Sequence, residues 1–292
     1  MKLLTKFNLI LFGIFGVGGL LISLVAYNFL MGNARREVLA QAELMMASAT
    51  SVRDYTTSDL LPLLLQVPGH RVRFLAETVP AYGATTTFKN LRAKYPNYTY
   101  KEATLNPTNL EDRASDWEAD VIRDMRDHPD RNPVVGERST PDGPSLYLAR
   151  PIVATHPCLE CHSVPSAAPK AMLTVYGSAN GFGWKENAVV GAQIVSVPAL
   201  VPRAIANQAF HRLLIYLILT LVFTVIALDT GVYWLVIRPL KQVSSTADRI
   251  SKGEKNVQPV AVTGSDEIAN VTASFNRMQL SLAKAFAMLD KG

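Results

Sequence analysis

Cysteine is nearly absent from this chain: two occur in 292 residues, Cys158 and Cys161, with only Leu159 and Glu160 between them. That scarcity excludes a disulfide framework and a zinc site built on four thiolates. Internal repeats and low-complexity tracts are missing as well, which excludes a solenoid or a flexible array. Charge is missing from two long stretches. Phe7 to Met31 holds no acidic or basic side chain, and Asn8, Ser23 and Asn28 are its clear polar interruptions. Leu213 to Ile237 is a run of 25 residues with one acid, Asp229. Soluble core helices seldom lack a polar face over such a length, and a bilayer takes roughly 20 residues to cross. Transmembrane helices are therefore expected at 7–31 and 213–237. Lys2 and Lys6 give the first run a basic start, but its apolar part is too long for a signal peptide. The A-x-A tripeptide Ala40-Gln41-Ala42 comes only after Arg35, Arg36 and Glu37, so the run reads as an uncleaved anchor.

His162 directly follows the second cysteine and completes C-x-x-C-H, the local signature of covalent heme c attachment. In that chemistry Cys158 and Cys161 form thioethers to the porphyrin vinyl groups, and His162 holds the iron from the proximal side. Neither cysteine is then left for a disulfide. A thioredoxin-like pair would need no adjacent histidine and would open a helix after a strand. A zinc knuckle needs four ligands, only His156 lies near enough to help, and adjacent Cys161 and His162 fit poorly around one tetrahedral ion. Thr155-His156-Pro157 before the motif, with Pro165 and Pro169 after it, predict a loop.

Charge supports one topology. Residues 32–211 hold 18 Lys+Arg and 18 Asp+Glu, whereas the rest of the chain holds 11 and 6 and so carries the whole net charge of +5. The positive-inside rule puts both termini in the cytoplasm, although Arg35 and Arg36 sit on the opposing side. Heme c is attached outside the bacterial cytoplasm, which makes 32–211 periplasmic. The basic balance belongs to lipid head groups and gives no reason to expect nucleic acid as a partner. The localisation expected is the inner (cytoplasmic) membrane, crossed twice.

Between the spans, apolar spacing predicts a helix over 34–65, ended by Pro62 and Pro68-Gly69, and another over 84–94. Residues 98–104 alternate like a strand, Asn106 to Asn109 form a turn, and 112–126 reads as a charged helix with Trp117, Val121 and Ile122 inward. Strands are expected at 145–153, 172–176 and 189–198, which gives an α+β domain around a small antiparallel sheet. A helix from Pro198 to His211 leads into the second span.

Several runs carry a family resemblance: Lys101 to Asn109, Asp116-Trp117-Glu118, Tyr147 to Pro151, Gly181-Phe182-Gly183-Trp184, and Gly191 to Val195. Together, over roughly 75–198, they resemble a family of periplasmic c-type heme sensor domains with a PAS-like fold, commonly wired to membrane-spanning signalling proteins. The resemblance implies a PAS-like antiparallel sheet with the heme against one face. Residues 238–292 resemble a HAMP linker: Arg238-Pro239-Leu240 opens the segment, Ser251 to Glu254 breaks it, Asp266-Glu267-Ile268 restarts it, and Phe275 to Met278 follows. Periodicity agrees, with Leu240, Val243, Ala247 and Ile250 in one stripe and Ile268, Val271, Phe275, Met278, Leu282, Ala285 and Leu289 in a heptad seam. Stripes this narrow call for a homodimer, whose parallel four-helix coiled coil is the HAMP arrangement. No kinase, cyclase or methyl-accepting segment follows by Gly292, so the output is expected in a separate cytoplasmic kinase or other signalling protein.

The candidate cofactor-binding residues are Cys158, Cys161 and His162, the last also the metal ligand, with Lys101 and Arg150 as cations for the heme propionates. Trp117, Trp184, Tyr100 and Tyr147 could pack on the porphyrin or serve as core. On the opposite side of the iron, His156 is tethered too close, His128 and His70 have solvated alternatives, and Met45, Met46, Met125 and Met172 read equally as core; an open position would suit a gas. Asp229 is expected near the head groups, paired or neutral. No catalytic residues are assigned and no enzyme activity is expected; a distal His–Arg pair for peroxidase chemistry cannot be placed. The expectation is a sensor of redox state or a small gas in the periplasm. The alternative is a membrane-anchored monoheme electron carrier, for which a HAMP segment has no use.

Overall fold

The computed structural model describes residues 3–71, 73–254 and 256–289, with the side chains of Leu3, His70, Arg71, Phe286, Ala287 and Leu289 outside that description. The chain divides into two compact units, one of residues 26–210 and one of residues 1–25 with 211–292.

In the first of these, a four-stranded antiparallel sheet is built from β1 (Thr99–Thr104), β2 (Val134–Thr140), β3 (Gly143–Val153) and β4 (Val189–Pro198), in the order β1-β4-β3-β2. Pairing puts Tyr100 opposite Val195, and Val195 opposite Leu148. Strand alternation then assigns every residue to one of two faces. One face carries Tyr100, Leu146, Leu148, Val195 and Val197. It packs on Val38, Ala42, Met46 and Ala49 of α1 (Leu3–Tyr55) and on Ala84 and Phe88 of α3 (Pro80–Lys94). The other face carries Ala103, Ala149, Ala192 and Ile194 and packs on Val121, Ile122 and Met125 of α4 (Asp116–Asp127). α4 begins with a capping box in which Ser115 and Glu118 satisfy each other's backbone N–H.

α1 runs unbroken through the first apolar stretch and out along the sheet. A π-helical turn (Thr56–Leu60) and the short α2 (Leu61–Leu64) follow it. From Met31 to Arg53 the rod is about 33 Å long at 1.5 Å per residue. β4 continues through Ala199 straight into α7 (Leu200–Val232).

The other unit holds the start of α1 and most of α7, followed by a π-helical turn (Tyr233–Ile237), α8 (Arg238–Ser251) and α9 (Glu267–Leu289). Two helices are long and apolar enough to cross a membrane, and their apolar windows are not buried by protein. Asn8 Nδ2 donates to Asp229 Oδ2 at 2.9 Å, so the early part of α1 lies beside the late part of α7. The connector before α9 is held by Asn276, which accepts from Val260 N and donates to Val260 O.

Three points differ from expectation. β2 has no counterpart in the sequence reading, because Gly136, Glu137 and Arg138 break its apolar alternation. Residues 172–176 belong to a helix, α6 (Lys170–Tyr176), rather than a strand. The helix expected over 34–65 is present as α1 to Tyr55, a π-helical turn and α2, so the helical path continues to Leu64. The C-x-x-C-H segment is helical, α5 (His156–His162), not a loop. Pro157 sits in its first turn, where a missing N–H costs nothing, and Thr155 caps it.

Lys101 belongs to the structural frame. Its Nζ donates to Glu118 Oε2 at 2.8 Å and to Arg113 O at 2.7 Å. Lys101→Met leaves the buried Glu118 carboxylate uncompensated and is expected to cost about 1–3 kcal/mol in chemical denaturation, the half-exposed lysine end keeping the figure below that of a fully buried pair. Arg150→Ala, at an exposed strand position, is expected to change stability by less than about 0.5 kcal/mol.

Candidate functional site

α5 sits in the β3–β4 connection, at the end of the sheet where Thr104 faces Gly191. Cys158, Cys161 and His162 stand at i, i+3 and i+4, so a single helical turn projects two thiols and one imidazole from the same side. Both cysteines are free and half-buried. The Cys158 sulfur also closes the helix start, lying 3.4 Å from the Thr155 N–H and 3.3 Å from its hydroxyl. Burial pushes the Cys161 thiol up, and the charges of Glu160 and Cys158 push it further. Among the described residues, no three His, Cys, Asp or Glu side chains converge in a way that could hold a metal ion.

His162 is held by a clasp that the sequence reading touched only as motif residues. Its Nδ1 lies 2.7 Å from the carbonyl oxygen of Gly181, which can only accept, so the hydrogen is on Nδ1 and the lone pair on Nε2. Thr108 Oγ1 stands 3.3 Å from the same nitrogen. The Trp184 ring stacks on the imidazole at 4.1 Å and 13°. Trp184 N donates to His162 O and Gly183 N to Ser163 O, which staples the 177–184 loop to the end of α5. Asn106 completes the clasp, accepting from Gly181 N and donating to Phe182 O. Burial lowers the His162 pKa, and the Gly181 hydrogen bond opposes that shift only in part, so the ring is neutral near pH 7. A neutral imidazole fixed through Nδ1, with Nε2 as donor, is the form that ligates a metal.

Gly181 makes this geometry possible. Its φ is +84°, and a Cβ there would come within 2.0 Å of Thr108 Oγ1 and 2.9 Å of Thr108 Cα.

The two cations named for propionates lie on opposite faces of the sheet. Lys101 is on the α4 face and engaged with Glu118, whereas Arg150 shares a cross-strand row with Gln193 and Glu102 on the α1 face. Arg53, which no sequence motif singles out, reaches that row from α1 and pairs with buried Glu102, which also accepts from the Tyr100 hydroxyl at 2.8 Å. Burial opposes the Arg53 cation, but Glu102 outweighs it and raises its pKa, with Tyr100 and Cys158 contributing. Met45 and Met46 are in the α1-face core and Met125 is in the α4-face core; Met172 is buried on α6. His128 is exposed at the end of α4 with Nδ1 3.0 Å from Asp124, His156 is exposed, and the His70 side chain lies outside the described residues. Trp117 packs on Tyr147 and under Arg138, on the α4 face. A groove lined by Leu30, Tyr98 and Ile205 lies at the far end of the sheet and holds none of the candidate residues.

Gly181→Ala is expected to open the clasp. Near-ultraviolet circular dichroism of Trp184 should weaken, while far-ultraviolet helix and strand content stays unchanged. Asp112 offers a pH test. Burial, then Glu102 and Glu111, push its carboxyl from an ordinary 3.8 up to about 6. The folded state therefore holds this proton more tightly than the unfolded state. The contribution to stability is fully present below about pH 4, falls as pH rises from 3.8 to about 6, and is flat above. Asp112→Asn should flatten that part of the curve, measured by urea denaturation across this range.

Comparison with known proteins places these elements. A model described as Tll0287-like matches residues 31–198, and the HAMP domain model matches residues 231–284. The crystal structure of the cyanobacterial heme-protein Tll0287 aligns with a TM-score of 0.41 and 14% identity over 56% of this chain and 95% of that chain. No curated protein matches the chain. With its first model covering more than half of the 292 residues, and with the β sheet, α5 and the His162 clasp all inside the matched span, the chain belongs to the Tll0287-like family and carries a HAMP domain after it.

Proposed function

We propose that this chain is a two-pass inner-membrane sensor whose periplasmic domain carries one heme c and whose cytoplasmic HAMP domain passes the signal to a separate output protein. The observation that carries the reading is the state of His162: neutral, hydrogen-bonded through Nδ1 to Gly181 O, and four residues from a thiol on one helix turn. The donor set fits the group. Cys158 and Cys161 would hold the porphyrin covalently, and His162 would ligate the iron through Nε2. When bound, the heme supplies a one-electron redox centre that also takes small gaseous ligands. The chain's own residues orient the imidazole, close the α4 face with a packed core, and present Arg150 in the same cross-strand row as Glu102 on the α1 face, with Gln193 between them. Arg150 is the propionate partner of this reading, and Lys101 is not.

Transmission follows covalent continuity. α1 leads from the Arg53 region into the first span, and β4 leads through Ala199 into α7 and then α8. A ligand or electron biases such an element only if it favours one of two packings. Homodimerisation is supported by the seam of α9, where Val271 is 49%, Met278 61% and Leu282 42% exposed in a single chain. Arg238 stacks over Trp234 where α7 gives way to α8, an aromatic and cation of the kind found at a bilayer edge. An electron carrier needs a redox centre and an anchor but not the α8–α9 helix pair of a HAMP domain.

The test is expression in a host with periplasmic heme c maturation. Purified protein should carry the mass of one heme through denaturation, and Cys158→Ser with Cys161→Ser should abolish that increment. His162→Ala should keep the covalent mass and alter the ferrous absorption bands. Arg150→Ala should shift the reduction potential while Lys101→Met leaves it nearly unchanged. Rapid CO binding by the ferrous form supports gas sensing, and a spectrum indifferent to CO supports redox sensing. Colourless protein of unmodified mass overturns the reading.

A further inference from the structure

We propose that Asn8 and Asp229 form an intramembrane clamp within one chain, fixing the register of the first span on the second so that they move together above the HAMP domain. Asn8 Nδ2 donates to Asp229 Oδ2 at 2.9 Å, across 221 residues of sequence. The surrounding helix surface is apolar and open to lipid: Ile10, Ile14, Phe223 and Ile226 are each more than half exposed. No water competes for a polar side chain there, so such groups turn to one another.

The other oxygens of the pair, Asn8 Oδ1 and Asp229 Oδ1, are buried and have no hydrogen-bond partner; among the described residues only Gln279 Oε1 shares that condition. The pair therefore has two acceptors too many and one hydrogen too few for a second bond. An amide in place of the carboxylate would bring that hydrogen. This gives the clamp a signature that mere tolerance of a polar residue lacks: Asp229→Asn should keep or strengthen it, while Asp229→Leu should break it and strand the Asn8 amide.

Position gives the clamp its consequence. Asp229 lies nine residues before Arg238, about 13 Å of helix, and Asn8 lies in the second turn of α1. The bond thus ties the two spans at the end nearest α8. A slide or rotation of α1 at this level must carry α7 with it or break the bond. The inference does not depend on any cofactor at α5.

The experiment uses the full chain in native membranes. With Cys158 and Cys161 replaced by serine, Asn8→Cys and Asp229→Cys are combined and oxidised, and the loop between the spans is then nicked by protease. The N- and C-terminal fragments should stay joined without reductant, and either single cysteine should give few linked dimers. Separated fragments, or dimers from Asp229→Cys alone, would place Asp229 at a seam between copies and overturn the clamp. A second measurement keeps the native cysteines and follows the half-life of the folded protein in detergent. Asp229→Leu should shorten it about three- to tenfold, the range of a modest interhelical hydrogen bond. Adding Asn8→Leu should recover part of the loss, and Asp229→Asn should match the parent. Additive losses in the double variant, or an Asp229→Asn chain as short-lived as Asp229→Leu, would sink the proposal.

Discussion

The hydrogen bond from His162 Nδ1 to the Gly181 carbonyl is the constraint around which the matched domain is arranged. A histidine at the end of a seven-residue helix would otherwise turn freely about two side-chain bonds and could carry its proton on either nitrogen. Here one carbonyl chooses the tautomer, Trp184 fixes the ring plane, and Thr108 stands against the same nitrogen. His162 and these partners come from three separate pieces of chain: the α5 turn, the loop before β4, and the loop after β1. The sheet holds those pieces at fixed separation, because β1 and β4 are paired immediately beneath them. The clasp is therefore a reading of the whole β1–β4 register, and a slip of one residue would break it.

The same register divides the charges by task. Lys101 and Glu102 are neighbours in sequence but point to opposite faces. On the α4 face, Lys101 neutralises Glu118, whose other task is to cap α4. On the α1 face, Glu102 is 4% exposed and accepts from both Arg53 and Tyr100. A carboxylate this deeply placed needs more than one donor to be tolerated. One consequence is mechanical as well as electrostatic, since the Arg53–Glu102 pair fastens the end of α1 to the strand next to β4. The two elements that leave the domain, α1 and β4–α7, are thus linked at the end of the sheet where α5 sits.

Much of this was legible in the sequence, and the failures have physical causes. Val189–Pro198 was found without error because it is a central strand, apolar on both faces and bounded by turn residues. The family, both apolar helices and the HAMP segment followed from motifs and from period. α5 was missed as a helix because Pro157 reads as a breaker in isolation and as a first-turn residue only once Thr155 is known to cap. β2 was missed because an edge strand needs one buried side only, and its Gly136 is there to make room for Tyr147, whose hydroxyl a Cβ would meet at 2.4 Å. α6 was taken for a strand because Met172 to Tyr176 has no polar residue to reveal a helical face except Thr174. Within the site, C-x-x-C-H was visible because its spacing is itself the geometry of one helix turn. Arg53 was invisible because its partner lies 49 residues away, and Lys101 and Arg150 could not be told apart because facing is fixed by pairing partners rather than by local pattern.

The charge that sequence alone left without a role, Asp229, shows the same logic in a solvent of a different kind. On the sheet a carboxylate finds several donors, but between two long apolar helices its options narrow to a partner on the neighbouring helix. Asn8 supplies one hydrogen bond and leaves one oxygen on each side unanswered. Such an arrangement holds two helices in register without welding them. The Asn8–Asp229 bond and the His162 clasp are alike in this respect: in each, one directed hydrogen bond fixes an element that apolar packing would leave free to turn.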